Sequence, residues 1–302
     1  MLCALALAAL PASASAQVLT FSARSELVVF SATAVDGNGH PIIDLRREDF
    51  RVYEEGRPQP IAYFDGGRGV SARILLLVDA SGSMNDTWKT ASARRAAGQI
   101  LDALSPDDQV ALAGFDSRYW GVVAFTKEKE AVRRGLETMT PFGSTALHDA
   151  LDKAAHDIAT WGEGRRAVVV LTDGVDNSSQ TLPEDVIARS RALDVPIYAV
   201  SVVSPLDDPA SPEFAGDKTR GAQRVAQETL SRYANLSGGL AFRVSDPAGL
   251  QNAARRIAGE LKHQYRLGWT PAAGSSGFRR VAVVTTRKGV RVRTRSGYVP
   301  PS

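Results

Sequence analysis

The sequence predicts an α/β protein whose doubly wound, mainly parallel sheet carries one antiparallel strand at its edge. Apolar runs without polar alternation are interleaved with amphipathic segments, which is typical of parallel strands covered by helices on both faces. Two of the strands are separated by only two residues, so we expect them to form an antiparallel hairpin. The two ends of the chain are rich in β-branched residues and turn signals, and they predict a small flanking β module.

The N-terminal segment shows the patterns of strands and no helical period. ELVVFSATAV (26–35) is β-branched and apolar, and the DGNGHP that follows it is a strong turn signal. FRVYEEG (50–56) and PQPIAYF (58–64) predict a second pair of strands around a turn at Gly56-Arg57-Pro58.

Strands and helices alternate through the middle of the chain. The edge hairpin is formed by QVALAGFD (109–116) and YWGVVAFT (119–126). The other predicted strands are 74–79, 165–173, 196–203 and 240–244. The predicted helices are 87–104, 127–138, 145–160, 183–193, 221–236 and 247–263, and the segment 204–220, rich in Pro, Asp and Gly, is predicted to be a loop.

The C-terminal segment returns to strands, namely YRLGWTP, FRRVAVVTT and GVRVRTRSGY, with Arg287-Lys288-Gly289 as a hairpin turn. Residues 265–302 carry eight Lys or Arg and no acid, whereas residues 17–70 carry eight acids against six bases. We therefore expect the two terminal segments to pair. The arginines of the last strand alternate with apolar residues and predict a solvated face. With a net charge of only +3, no nucleic-acid partner is expected.

The first sixteen residues, MLCALALAALPASASA, are apolar and then small, and Ala14-Ser15-Ala16 fits a signal-peptidase site before Gln17. We expect a cleaved signal peptide (1–16) and export to the periplasm or beyond. An N-terminal β segment (17–70), an α/β domain (71–264) and a C-terminal β segment (265–302) would follow. No later segment reaches the length of a transmembrane helix, so no integral membrane segment is expected in the mature chain.

The single cysteine, Cys3, lies inside the predicted leader. The mature chain would then have no thiol, which excludes a cysteine nucleophile and any Cys-ligated zinc or iron–sulfur site. Hydrophobic residues make up 44% of the sequence and charged residues 23%, so the chain has ample material for a core without disulfides.

Small oxygen-bearing side chains gather at predicted strand ends. Asp79 ends one apolar strand and is followed by Ser81 and Ser83, Asp173 ends another, and Thr145 starts a predicted helix. Both carboxylates should emerge at the same edge of the sheet, where doubly wound folds bind ligands. Two carboxylates and three hydroxyls suit a hard divalent cation, and Mg²⁺ or Mn²⁺ with some waters fits better than Ca²⁺, which usually takes six to eight oxygens. An open position on the metal would favour an outside carboxylate.

Other kinds of site fit the sequence less well. No G-x-S-x-G elbow surrounds either serine, although His148 and His156 are candidate bases for a serine hydrolase. An aspartyl-nucleophile phosphatase would need a second carboxylate at position 81, and the absence of GxxxxGK[ST] excludes a P-loop NTPase. A capping turn before the helix, built from Asp79 and Ser81, could explain one serine but not the whole set of five residues. Asp176 is interpreted as a solvated loop residue rather than a partner of the site.

DASGSM, GSTAL and LTDG together resemble the von Willebrand factor type A (VWA) domain, a Rossmann-like fold with a metal-ion-dependent adhesion site (MIDAS). The resemblance covers roughly residues 71–247. It implies that Ser81, Ser83 and Thr145 bind the metal directly and that Asp79 and Asp173 act directly or through water. It also implies that an acidic side chain from a ligand completes the shell. The flanking segments resemble the ends of exported bacterial "VWFA-related" proteins.

These observations lead to one expected function and two alternatives. We expect an exported binding protein, not an enzyme, in which Mg²⁺ or Mn²⁺ bridges the site to an Asp or Glu of a partner protein. In the first alternative the protein is a structural or scaffolding component of an envelope assembly, and its metal only staples loops. In the second it is a metal-dependent hydrolase that uses the cation as a Lewis acid.

Overall fold

The computed structural model describes residues 27–66, 71–161, 164–204, 208, 220–271 and 277–300. The strands are β1 (Val28–Val35), β2 (Phe50–Glu54), β3 (Arg57–Gln59), β4 (Tyr63–Asp65), β5 (Ala72–Asp79), β6 (Gln109–Phe115), β7 (Tyr119–Thr126), β8 (Arg165–Thr172), β9 (Ile197–Val202), β10 (Ala241–Val244), β11 (Tyr265–Trp269), β12 (Arg279–Thr285), β13 (Arg291–Thr294) and β14 (Gly297–Tyr298). The helices are α1 (Thr87–Ala103), α2 (Lys129–Thr138), α3 (Leu147–Thr160), α4 (Pro183–Ala192), α5 (Arg220–Ser237) and α6 (Pro247–Lys262).

The central sheet confirms the predicted fold class. Its six strands lie in the order β10-β9-β8-β5-β6-β7, and every pair is parallel except β6 and β7 at the edge. After β5 the chain adds β6 and β7 on one side of this strand, and it later adds β8, β9 and β10 on the other side. The strand order therefore reverses at β5, and the carboxyl end of this strand is the position where doubly wound sheets bind ligands.

Helices cover both faces of this sheet, and successive residues of β5 contribute to opposite cores. Leu76 packs in the core under α1, α2 and α6, whereas Leu75 and Leu77 pack in the core under α3, α4 and α5. Because both faces are buried, the strand has no polar alternation, and this explains the uninterrupted apolar run that precedes Asp79.

The flanking β module combines strands from both ends of the chain. One sheet has the order β13-β1-β11-β4 and the other β14-β12-β2-β3, so each contains N-terminal and C-terminal strands. Aromatic side chains fill the space between the two sheets, with ring centroids 4.9 Å apart for Phe30 and Trp269 and 5.1 Å apart for Phe50 and Tyr265. These separations are typical of aromatic packing in cores.

One predicted strand pairing in the module is correct only in part, and another is wrong. The segment 50–56 pairs with the chain after the turn, as β2 with β3, but 58–64 does not form one strand, because β4 pairs with β11 in the other sheet. The turn at Arg287-Lys288-Gly289 does not close a hairpin either, since β12 pairs with β2 and β14 while β13 pairs with β1. A turn signal defines where the chain reverses, but not which strand it joins afterwards.

The module contacts the α/β domain close to the amino end of β9, away from Asp79. The Nε of Arg295 lies 3.1 Å from Oδ1 of Asp194, and Oδ2 of Asp194 accepts hydrogen bonds from the backbone N–H and the hydroxyl of Ser31, at 3.2 and 3.0 Å. Arg293 pairs with the buried Glu260 of α6. These contacts join the module to the opposite end of the sheet from the candidate site.

The predicted leader (1–16) and most of the predicted loop (204–220) lie outside the described residues. Among the helices that the structure describes, none combines the length and the apolar character that crossing a bilayer requires.

Candidate functional site

The candidate site lies where three loops meet at the carboxyl edge of the central sheet. These loops follow β5, precede α3 and follow β8. The N–H of Gly82 donates to the carbonyl of Gly143 at 2.8 Å, and this joins the first loop to the second. The N–H of Asn177 donates to the carbonyl of Thr145 at 3.0 Å, and this joins the third loop to the second. Backbone hydrogen bonds thus hold together three segments that are far apart in sequence.

Asp79 is the last residue of β5, and its side chain is oriented by two donors. Oδ1 accepts the N–H of Ser81 at 2.8 Å, and Oδ2 accepts the hydroxyl of Thr172. Burial raises the pKa of Asp79 to about 6, with a further contribution from the charge of Asp173, while the hydrogen bonds from Ser81 and Thr172 act in the opposite direction. Asp79 is therefore a buried acid that ionises close to neutral pH.

Ser81 and Ser83 continue from Asp79 with their hydroxyls side by side. Ser81 is fully buried and Ser83 is exposed, and their two Oγ atoms are 3.0 Å apart. Ser81 is in extended conformation, and a 3-10 turn, Gly82–Asn85, begins after it. The side chain of Met84 is buried within this turn and anchors it to the core. The two serines therefore combine one enclosed hydroxyl with one that faces outward.

The N-cap of helix α1 is Asp86, and not Asp79 or Ser81. Asp86 accepts the N–H groups of Trp88 and Lys89 at 2.7 and 3.2 Å, and it is the N-cap of the helix. Because Asp86 fills this role, a capping turn does not explain Asp79 and Ser81.

Thr145 lies in the loop before α3 and not inside the helix, which starts at Leu147 rather than at the predicted residue 145. Its side chain is almost completely buried, and its N–H donates to Oδ1 of Asn177 at 2.8 Å. Its carbonyl also accepts the N–H of Ser178 at 3.1 Å. The backbone at Thr145 is thus fixed by the loop that follows β8.

Asp173 follows β8 directly and is paired with a lysine that the sequence analysis did not identify. The Nζ of Lys89 lies 3.1 Å from Oδ2 of Asp173, with the two side chains 10% and 6% exposed. The helical period of the sequence could have indicated that Lys89 is buried, because it lies on the same face of α1 as the small residues Ala93 and Ala96. The site therefore contains a buried cation beside its two buried carboxylates.

Asp176 is not the solvated loop residue that the sequence suggested. Its carboxylate is only 15% exposed and accepts the hydroxyl of Ser179 at 2.5 Å and the N–H of His148 at 3.3 Å. Nδ1 of His148 is 2.8 Å from the hydroxyl of Tyr233, and burial lowers the pKa of this histidine. Asp176 thus ties the third loop to the start of α3, and His148 is bonded to α5. His156, the other candidate base, is exposed.

The ligands available for a metal are mainly hydroxyl and carboxylate oxygens. Among the residues that the structure describes, no group of three or more His, Cys, Asp or Glu side chains is arranged to hold a metal ion. The site has two carboxylates and relies on hydroxyls for further ligands. The structure brings Asp79, Ser81, Ser83 and Asp173 to adjacent strand ends, and it places Thr145 on the loop that is bonded to both neighbours.

Two relatives are proteins of unassigned role. The chain is 27% identical over 230 residues to a UPF0353 protein of Mycolicibacterium paratuberculosis, and the alignment covers 71% of this chain and 67% of the relative. A second UPF0353 protein of the same organism is 24% identical over 207 residues, with coverage of 64% and 61%. The chain thus spans about two thirds of the length of these relatives.

A solved structure and a family match agree with the observed fold. The von Willebrand factor type A protein from Catenulispora acidiphila superposes with a TM-score of 0.51 at 14% identity, covering 92% of this chain and 76% of that one. The family described as von Willebrand factor type A domain matches residues 74–256, which is more than half of the sequence. The chain therefore belongs to the von Willebrand factor type A domain family, whose domains serve as protein-interaction or adhesion modules.

Proposed function

We propose that this protein is an exported, metal-dependent binding module in which Mg²⁺ or Mn²⁺ bridges the site to an Asp or Glu of a partner protein. The observation that carries the proposal is the continuous arrangement of Asp79, Ser81 and Ser83 beside Asp173 at the point where the strand order reverses. Thr145 would complete the MIDAS. Export is supported by the composition of residues 1–16.

The spacing of the serine hydroxyls is compatible with an octahedral cation. Two neighbouring ligands of an octahedral Mg²⁺, each about 2.1 Å from the metal, are separated by about 3.0 Å. The Oγ atoms of Ser81 and Ser83 are 3.0 Å apart. The donor set therefore fits Mg²⁺ or Mn²⁺ without rearrangement of these two side chains.

The expected roles of the residues follow from their burial. Ser81 and Asp79 lie beneath the surface and would hold the inner side of the cation, whereas the exposed Ser83 would hold it near solvent. The bound metal would supply positive charge and an open coordination position for the partner's carboxylate. Phe142 is 79% exposed on the neighbouring loop, and its N–H donates to the carbonyl of Ala80 at 2.8 Å. An exposed aromatic side chain whose backbone is held beside the site is a suitable contact for the partner surface.

A non-catalytic role agrees with the arrangement of the candidate base. Nδ1 of His148 is bonded to Tyr233, and the hydroxyl of Ser81 is bonded to Ser83 instead of to an imidazole. One alternative function is that of a metal-dependent hydrolase. Turnover of simple esters or phosphoesters by the wild type, lost in Asp79→Ala, would establish that alternative and overturn the proposal that the protein is not an enzyme.

Calorimetric titration of the EDTA-treated protein with Mg²⁺, Mn²⁺ and Ca²⁺ tests the metal. We expect saturable binding of Mg²⁺ or Mn²⁺ that is lost in Asp79→Ala and Ser81→Ala. Ser117→Ala removes an exposed hydroxyl from the β6–β7 turn and should bind the metal like the wild type. Undiminished binding by Asp79→Ala in a folded protein would contradict the assignment of the site.

Affinity capture from an envelope extract, with Mg²⁺ or with EDTA, tests the bridge to a partner. We expect capture that needs the metal and is lost in Ser83→Ala, and that is weakened in Phe142→Ala without any change in metal affinity. Tight metal binding, together with partner capture that EDTA does not reduce, would favour the alternative in which the metal only holds the loops together.

A further inference from the structure

Lys89 is a buried cation at a position that the stability of helix α1 does not explain. It is the third residue of the helix, where the positive end of the helix dipole disfavours a cation. Its side chain is 10% exposed, and removing an ammonium group from water is unfavourable unless an opposite charge compensates for it. The other buried residues on this stretch of α1, Ser92, Ala93 and Ala96, are small and uncharged. The pairing with Asp173 therefore compensates for at least part of the cost of its burial.

Lys89 and a divalent cation would both neutralise the carboxylate of Asp173. Without a metal, the ammonium group of Lys89 lies 3.1 Å from Asp173, and Asp173 is close enough to Asp79 to affect it electrostatically. A divalent cation between two ionised carboxylates would balance their charge by itself. If Lys89 then stayed at Asp173 before a partner's carboxylate arrives, one positive charge would remain uncompensated in a largely buried site, where electrostatic repulsion is strong.

We propose that Lys89 is an internal competitor of the metal: its ammonium group occupies the Asp173 side of the site when no metal is bound and must leave Asp173 when a divalent cation binds. This inference rests on the proposed metal site. In metal-free protein Lys89 compensates for the buried charge of Asp173, and its competition for Asp173 lowers the affinity of the site for the metal. The site is thereby stable when empty and responds to the concentration of free cation instead of being permanently loaded.

Calorimetric titration with Mn²⁺ and Mg²⁺ of Lys89→Met and Lys89→Gln tests this role. Methionine keeps the length of the side chain without the charge, and glutamine also keeps a hydrogen-bond donor in case the apolar variant folds poorly. We expect both variants to bind the cation at least about tenfold more tightly than the wild type, because binding no longer breaks an ion pair. Lys127→Met, which removes a lysine paired with Asp107 at the surface, should bind like the wild type.

Thermal unfolding in EDTA gives a second readout that does not depend on a partner. Lys89→Gln should melt below the wild type without metal, and saturating Mn²⁺ should raise its midpoint more than that of the wild type. Equal or weaker cation affinity in both Lys89 variants would overturn the competitor role and leave the metal site intact. Absence of binding in the wild type and in both variants would overturn the metal site itself. Binding only in the variants would support the competitor role.

Discussion

The hydroxyl of Thr172 donates to Oδ2 of Asp79 across two neighbouring parallel strands. The register of these strands causes this contact, because Val78 lies opposite Leu171 and the next residues along are Asp79 and Thr172. The same hydroxyl oxygen accepts the N–H of Gly174 at 2.9 Å, so Thr172 connects the carboxylate to the loop that carries Asp173.

Thr172→Val should lower the free energy of unfolding by about 1–3 kcal/mol at pH 7.5 in EDTA, because a buried carboxylate loses a donor while the shape of the side chain is kept. Urea unfolding measures this difference. Thr172→Ser retains the hydroxyl and should recover most of the loss. Equal stability of the valine variant and the wild type would show that the hydrogen bond contributes little.

The ionisation of Asp79 should make the metal-free protein less stable as the pH rises. Its pKa is raised from 3.8 to about 6, so between these values the folded protein retains a proton that the unfolded chain releases. This contribution to stability is complete below pH 4 and is lost as the pH rises through 6.

Asp79→Asn removes the ionisation and serves as the reference. In EDTA, the stability of the wild type relative to this variant should fall by on the order of 2 kcal/mol between pH 4 and pH 7. Denaturant unfolding at several pH values measures it. A difference between the two proteins that stays constant over this range would contradict the raised pKa.

Gly174 has a conformation and surroundings that only glycine accommodates. Its φ is +86°, and a Cβ atom would lie 2.8 Å from Cδ1 of Leu230 and 3.3 Å from Cβ of Ala226. Gly174→Ala should therefore destabilise the protein by about 2 kcal/mol or more and weaken metal binding through a shift of Asp173. Gly37→Ala, where a Cβ would meet nothing within 4 Å, should change the stability by less than about 0.5 kcal/mol. Similar effects of the two substitutions on unfolding would refute this explanation.

Arg295 should be a main contributor to the attachment of the β module. It donates to the carbonyls of Arg191 and Val29, pairs with Asp194, and its guanidinium lies 3.9 Å from the ring centre of Phe30. Arg295→Met removes one partner of a buried ion pair and should lower the free energy of unfolding by about 3 kcal/mol.

The matched control for this arginine is Arg291, at the start of the strand β13 that ends just before Arg295. Arg291 is exposed in β13, and Arg291→Met should stay within about 0.5 kcal/mol of the wild type in the same denaturant experiment. Equal effects of the two substitutions would show that the interface does not depend on the buried guanidinium.

The sequence alone determined the fold class and most of the element positions, because burial on both faces leaves an uninterrupted apolar run and a helix leaves a 3.6-residue period. It also located Asp79, Ser81 and Ser83, since these residues share one loop and their relation is local. Asp173 was identifiable in the same way, as the residue that ends an apolar strand.

The tertiary structure decided the contacts between segments that are distant in sequence. The hydrogen bond from Thr172 to Asp79 depends on strand register, and the ion pair of Lys89 with Asp173 depends on the rotation of α1 over β8. The two sheets of the module depend on which edge each strand joins after a turn. Local patterns determine how a segment folds and which face is buried, but the partner of a buried polar group is selected by packing between segments, and no local pattern contains that information.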